Sequence, residues 1–193
     1  MNSPKLPAAE VGFDIDGVVA DTMEAFLRLA REEYGIGGIS KDQITSYWLE
    51  ECLPIPRNVV EAIIDRILHD PFGIGLKPIP GAIETLTKIG MENRLIFVTA
   101  RPVGEPIAKW LRMHLSQVPE GTIHVHATST HAAKGEVLQQ IGINCFIEDH
   151  LETCRSLARH GIKSVLYDQP WNQGKVPFLR VRSWAEIRNI IVL

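Results

Sequence analysis

An α/β fold, a parallel sheet with helices on both faces, is predicted by three observations. Short apolar runs alternate with amphipathic helical patterns through most of the 193 residues, as they do when each strand is followed by a crossover helix. Two of those runs end directly in acids, at Asp14 and at Glu148-Asp149. The stretch from Gly35 to about Pro78 shows helical patterns and no strand pattern, so a helical insert interrupts the alternation. Right-handed crossovers put the carboxyl end of every strand on one edge of the sheet, where such folds bind ligands.

Val11 to Ile15 is too short for a helix and reads as a buried strand. Asp21 with Glu24 starts a helix in the manner of a capping box, and Met23, Phe26, Leu27, Ala30 and Tyr34 recur at helical spacing until Gly35. Asp21 therefore reads as a cap rather than a catalyst. Ser40 with Gln43 can open a short helix, and Asn58 can cap a longer one whose apolar stripe, Val59 to Leu68, stops before Pro71. Ile79-Pro80-Gly81 leads into a helix ended by Gly90, followed by a strand from Arg94 to Val98 that runs into Thr99.

Glu105 to Leu115 reads as a helix with Pro106 tolerated in its first turn, and Thr122 to His126 as a short alternating strand. Ala132 to Ile141 is helical up to Gly142, and Cys145 to Asp149 is again an apolar strand meeting acids. Leu151 to Arg159 is a helix that Gly161 stops, Ser164 to Tyr167 a strand, and Asp168 to Asn172 a loop. A strand near Phe178 to Val181 and a helix from Trp184 to Ile191, capped by Ser183, close the chain.

Composition narrows the function. With 45% hydrophobic and 22% charged residues the chain can bury a sizeable core. A formal charge of -3 provides no general basic field for nucleic acid polymers or anionic membranes. Cys52, Cys145 and Cys154 are odd in number and lack C-x-x-C spacing, so they read as buried thiols. Residues 1–7 have no apolar leader segment and no run approaches a membrane span, so a cytoplasmic protein is expected.

Side chains alternate along a strand, so Asp14 and Asp16 share a face while Ile15 points into the core. Gly17 then lets the backbone turn and approach a ligand. Two carboxylates this close ask for a metal, a proton or water. Asp14, Thr99 and Asp149 all fall where strands end, so they can converge. His124, His126 and His131 superficially suggest a transition-metal site, but no acid or cysteine near them completes a ligand set. Arg57 and Arg101 read more safely as solvated charges than as contacts to phosphate or sugar. Trp171 and Asn172 read as loop-shaping residues.

The block Phe13-Asp14-Ile15-Asp16-Gly17-Val18-Val19-Ala20-Asp21 resembles the first motif of the haloacid dehalogenase (HAD) superfamily of aspartate-dependent phosphohydrolases. The strand ending in Thr99 resembles the second motif, Lys134 is placed as the third and Glu148-Asp149 as the fourth. The resemblance implies a HAD-like Rossmannoid core over residues 1–20 and 78–193, with a small helical cap, 21–77, inserted after the first strand. It implies Asp14 as nucleophile and Asp16 as general acid, then base. Thr99, the backbone near Ala100, and Lys134 would meet the phosphoryl oxygens. Mg²⁺ would be held by Asp14, Asp149 and the main-chain carbonyl of Asp16. Glu148 departs from the common Asp-Asp form, leaving metal, water or Lys134 as its partner.

Within the superfamily the chain is similar to the 5'(3')-deoxyribonucleotidase group. The carriers are Asp14 to Asp21, Leu76-Lys77-Pro78-Ile79-Pro80-Gly81-Ala82, Glu148-Asp149, Asp168-Gln169-Pro170-Trp171-Asn172 and Ser183-Trp184. The resemblance implies a phosphatase of nucleoside monophosphates, with Tyr47, Trp48 and Phe72 of the cap either stacking on a base or packing the cap. Relatives often place an aromatic directly after the acid at position 21, where this chain has Thr22. The rival readings are a phosphatase of another small phosphorylated metabolite, such as a sugar phosphate, and a silent ligand-binding protein of the same fold.

Overall fold

A computed structural model describes residues 5–119 and 121–193. The reading of the N-terminal stretch as free of an apolar leader therefore falls partly outside the described residues. β1 (Leu6–Pro7) is followed through a 3₁₀ turn by β2 (Val11–Phe13), α1 (Thr22–Tyr34), α2 (Arg57–His69), α3 (Ala82–Gly90), β3 (Leu95–Thr99) and α4 (Glu105–His114). β4 (Ile123–Ala127), α5 (Lys134–Gln140), β5 (Cys145–Glu148), α6 (Leu151–Arg159), β6 (Lys163–Tyr167), β7 (Leu179–Val181), α7 (Trp184–Ile190) and β8 (Ile191–Val192) complete the order. Among the described residues no helix is long and apolar enough to cross a membrane.

The main sheet runs β4-β3-β2-β5-β6-β7, with every pair parallel. β2, β3 and β5 are buried on both faces, as an apolar run without alternation requires, whereas edge strand β4 is half-buried. From β2 the chain steps outward through β3 and β4 on one side, then through β5, β6 and β7 on the other. The strand order therefore reverses around β2, and the carboxyl ends of β2, β3 and β5 meet at that switch point.

The predicted α/β class and parallel sheet hold; several local details differ. β2 stops at Phe13 because the Ile15 carbonyl turns back to accept the N–H groups of Val19 and Ala20, both at 2.8 Å. Asp21 makes no side-chain cap bond to α1 and instead accepts from Lys41 Nζ at 2.9 Å. Asn58 lies inside α2, which starts after Pro56 without a side-chain cap. The final helix ends at Ile190, because Ile191 and Val192 pair with Leu6 and Pro7. Ser40 and Gln43 do form the expected capping box.

Both ends of the helical stretch are sewn to the core side by side. Asp21 N–H donates to the Lys77 carbonyl at 2.9 Å, and Ile79 N–H to the Val19 carbonyl at 2.7 Å. Trp184 holds the same loop from below. Its ring stacks on Phe13 at 5.7 Å and its Nε1 donates to the Val18 carbonyl at 2.8 Å, so the sequence after the acids has one place to go.

Candidate active site

Asp14 continues the β2 ladder by one step, donating its N–H to the Ile147 carbonyl at 2.9 Å. Its side chain is buried: Oδ1 accepts the Ile15 N–H at 2.8 Å and Oδ2 lies 2.9 Å from Lys134 Nζ. Gly17, at a φ of 72°, turns the loop so tightly that a Cβ there would sit 2.1 Å from Asp149 Oδ2. No other residue type leaves room for that carboxylate.

Lys134 opens α5 and buries its whole side chain, donating to Glu148 Oε2 at 2.8 Å as well as facing Asp14. The other Glu148 oxygen accepts the N–H groups of Asp149 at 3.1 Å and His150 at 3.0 Å. Of the three partners left open for Glu148, Lys134 meets it in a buried ion pair. Asp149 accepts Trp171 Nε1 on Oδ2 at 2.9 Å, while its Oδ1 is buried with no hydrogen-bond partner among the described residues. Asn172 Nδ2 braces the same turn, donating to the main-chain carbonyls of Asp149 at 2.7 Å and Tyr167 at 2.8 Å.

Carboxylate oxygens of Asp14, Glu148 and Asp149 lie within 4.8 Å of one another. Three acids then face one ammonium, and the imbalance shows in their proton affinities. Burial, then the Glu148 charge, pushes the carboxyls of Asp14 and Asp149 well above the usual range. Burial alone would raise Glu148 too, but the Lys134 ammonium and its hydrogen bonds hold it down to about 2. Burial would lower Lys134, and the charges of Asp14 and Glu148 outweigh it and raise it. An unpartnered oxygen, hard carboxylate donors and missing positive charge fit a divalent cation with oxygen ligands.

Asp16 takes a different environment. Arg101 donates to it twice, Nε to Oδ2 at 2.9 Å and Nη2 to Oδ1 at 2.7 Å, and Thr22 Oγ1 donates to Oδ1 at 2.6 Å. Burial would raise its carboxyl, but Arg101 prevails and lowers it. This corrects the reading of Arg101 as a solvated charge: its side chain is 1% exposed. Arg57 does lie in solvent, paired with Glu61 at 2.8 Å. Thr99 is fully buried and its hydroxyl accepts the Arg101 N–H at 3.2 Å.

Above these groups is a chamber of about 330 Å³, with Asp14, Asp16, Thr99, Ala100 and Asp149 on its floor and Tyr47, Trp48, Ile44 and Ile64 among its upper walls. The Tyr47 ring lies over His150 at 3.9 Å, and its hydroxyl is 3.1 Å from Nε2 of His131. Phe72 does not join them. It sits 45% exposed in a turn closed by Gly73 N–H to Asp70 Oδ1 and by Gly75 N–H to its own carbonyl, away from the chamber lining.

Residues 8–193 match the family described as 5' nucleotidase, deoxy (pyrimidine), cytosolic type C protein. The chain belongs to this family. A nucleotidase of Clostridium acetobutylicum is 24% identical over 183 residues, covering 92% of this chain and 91% of its own length. A protein of Oceanobacillus iheyensis is 27% identical over 110 residues, and there the match spans only 57% of the relative's length. HAD-superfamily hydrolases of Geobacter sulfurreducens (22% identity, 96% and 97% of the two chains, TM-score 0.60) and Ehrlichia chaffeensis (17%, 98% and 96%, TM-score 0.58) share the fold.

In this type C nucleotidase family member the structure gives several residues around the floor partners that the sequence did not assign them. Arg101 and Thr22 bind Asp16, Trp171 binds Asp149, and His150 and Thr153 join His131 under Tyr47. The signal for Arg101 was its place two residues past a strand-terminal Thr. For His131, read only as a rejected metal ligand, the sequence carried no signal of its partner Tyr47 in the segment between α1 and α2.

Proposed function

We propose that the chain is a Mg²⁺-dependent phosphomonoesterase of nucleoside monophosphates that works through an aspartyl-phosphate. The observation that carries this is the buried Asp14 carboxylate, set beside the unpartnered Asp149 oxygen at the floor of a roofed chamber and backed by the Lys134 ammonium buried behind it. Mg²⁺ on Asp14, Asp149 and the main-chain carbonyl of Asp16 would supply the positive charge that lets a carboxylate approach a phosphate dianion.

In the first half-reaction an Asp14 oxygen attacks phosphorus, the bond to the leaving oxygen breaks, and Asp16 gives that oxygen a proton. In the second, water attacks phosphorus, gives its proton to Asp16, and the Asp14–phosphorus bond breaks. Arg101 favours the ionised form of Asp16 that the second half-reaction needs, so the proton that Asp16 passes to the leaving oxygen in the first enters with the substrate, as a phosphate monoanion carries one. Thr99, the Ala100 backbone and Lys134 steady the equatorial oxygens. A HAD-family hydrolase of Deinococcus radiodurans with the same fold (18% identity, TM-score 0.55) binds phosphate and sodium, in keeping with a phosphate at this floor.

Residues 21–77 act as the cap that excludes water and reads the leaving group. Their share of the chamber lining is apolar and aromatic apart from Thr22, Glu50 and Glu61, and carries no cation. That favours a leaving group without a second anionic group, as a nucleoside is, over a bisphosphate. Phosphate release from an aryl phosphate, with and without Mg²⁺, by the wild type and Asp14→Asn, tests the chemistry: equal release by both proteins defeats it. A panel of nucleotides against sugar phosphates tests the substrate, and no preference for nucleotides removes that claim.

A further inference from the structure

Arg101 is a buried cation with two unlike anchors. Its Nε and Nη2 hold both oxygens of Asp16, while its Nη1 donates to the main-chain carbonyls of Ile67 and Leu68, each at 3.2 Å. Those carbonyls belong to the last turn of α2, where a helix has acceptors and no donors of its own. One guanidinium therefore closes the end of a helix in the insert and fixes a carboxylate at the sheet edge. Only its planar fork can do both: a lysine is a point donor and reaches one anchor at a time.

Commitment of the guanidinium has a second consequence. Four of its five N–H groups are already in use, so it is not free to grip a phosphate while this arrangement persists. Thr22 reinforces the same end, donating to Asp16 Oδ1 from the first turn of α1. Asp16 is thus held by groups that depend on both helices of the insert being seated.

We infer that Arg101 is a positioning residue that sets the Asp16 carboxyl for proton transfer and uses the seated end of α2 as its support. The inference rests on the phosphatase reading given above. Misplacing an acid costs most when the leaving oxygen needs a proton, as a nucleoside alkoxide does, and little when it leaves unaided, as nitrophenolate does.

The test compares wild type, Arg101→Lys and Asp14→Asn on a nucleoside 5'-monophosphate and on p-nitrophenyl phosphate, with Mg²⁺. For Arg101→Lys the expected loss in kcat/KM, which reads the steps up to departure of the leaving group and not the later hydrolysis common to both substrates, is about 100-fold on the nucleotide and under about 10-fold on the nitrophenyl ester. Equal losses in kcat/KM on the two substrates overturn the inference, as does an unchanged kcat/KM on the nucleotide. A rise in KM alone overturns it in favour of phosphate binding. If Arg101→Lys does not fold, Arg101→Gln, which buries no charge, takes its place under the same ratios. Failure of both to fold makes Arg101 structural and ends the inference. The phosphatase reading fails separately, when wild type and Asp14→Asn release phosphate alike, and the inference then falls with it.

Discussion

The hydroxyl of Tyr47 lies 3.1 Å from Nε2 of His131, a contact between residues 84 apart in the chain. It joins the segment between α1 and α2 to the loop after β4. Thr153 Oγ1 extends the contact, lying 3.2 Å from His131 Nδ1 and 2.9 Å from His150 Nδ1. Tyr47→Phe removes the hydroxyl and keeps the ring on His150. Loss of about 1 kcal/mol is expected, read as a roughly fivefold rise in KM for the nucleotide with kcat nearly unchanged. Steady-state kinetics check it; a fall in kcat at constant KM would contradict a role in holding the chamber closed.

Lys134→Met tests the buried ion cluster. It leaves Asp14 and Glu148 facing each other without a cation, so urea unfolding without Mg²⁺ should show a loss of about 3–5 kcal/mol. Turnover should fall by about 100-fold or more, because a donor to the phosphoryl oxygens is gone. A variant as stable as the wild type would mean that the two acids share a proton well enough to dispense with the ammonium.

Removing the ion separates Asp149 from its neighbours. If its unpartnered oxygen is a ligand, Mg²⁺ at about 100 times its Kd raises wild-type stability by about 2.7 kcal/mol, seen as a higher Tm. EDTA should abolish the rise. Asp149→Asn should show little of it, while Asp42→Asn, an exposed acid in a 3₁₀ turn away from the cluster, should keep it. Equal shifts in the two variants would exclude Asp149 as a ligand.

The His131 imidazole carries a pH dependence. Burial, then the Lys134 ammonium, lowers it from 6.5 to about 4. Below pH 6.5 the unfolded chain binds a proton there that the folded chain refuses until about pH 4. Stability that is full above the upper value is therefore lost as pH falls through this window. In EDTA the raised carboxyls of Asp14 and Asp149 act in the opposite sense in both proteins, so the His131 share is read as a difference: between pH 7 and pH 5 the urea midpoint of the wild type should fall relative to that of His131→Asn. An unaltered difference in that variant would assign the dependence to other groups.

The floor of the site was legible because it depends on topology. Asp14, Thr99 and Glu148-Asp149 end runs that must be parallel strands, so a parallel sheet with one hand of connection brings them together, whereas Lys134 was placed only by the resemblance to the third motif. Trp184 and the loop of Trp171 and Asn172 were visible as a resemblance, while their bonds to Val18 and Asp149 were not. The alternating reading of β4 missed that an edge strand can be half-covered throughout.

By itself the sequence determined the α/β class, the order of strands and helices, the carboxylates at the strand ends and the helical stretch between Asp21 and Pro78. Those follow from the period of apolar residues and from turn chemistry, which act over a few neighbours. Only the tertiary structure decided that Arg101 is buried, that Glu148 faces Lys134, that Tyr47 meets His131 and that Phe72 stays out. An arginine or an aromatic suits water or the interior according to partners far along the chain. Desolvation and charge pairing are settled only when Ile67, Leu68 and Asp16 converge on the same guanidinium.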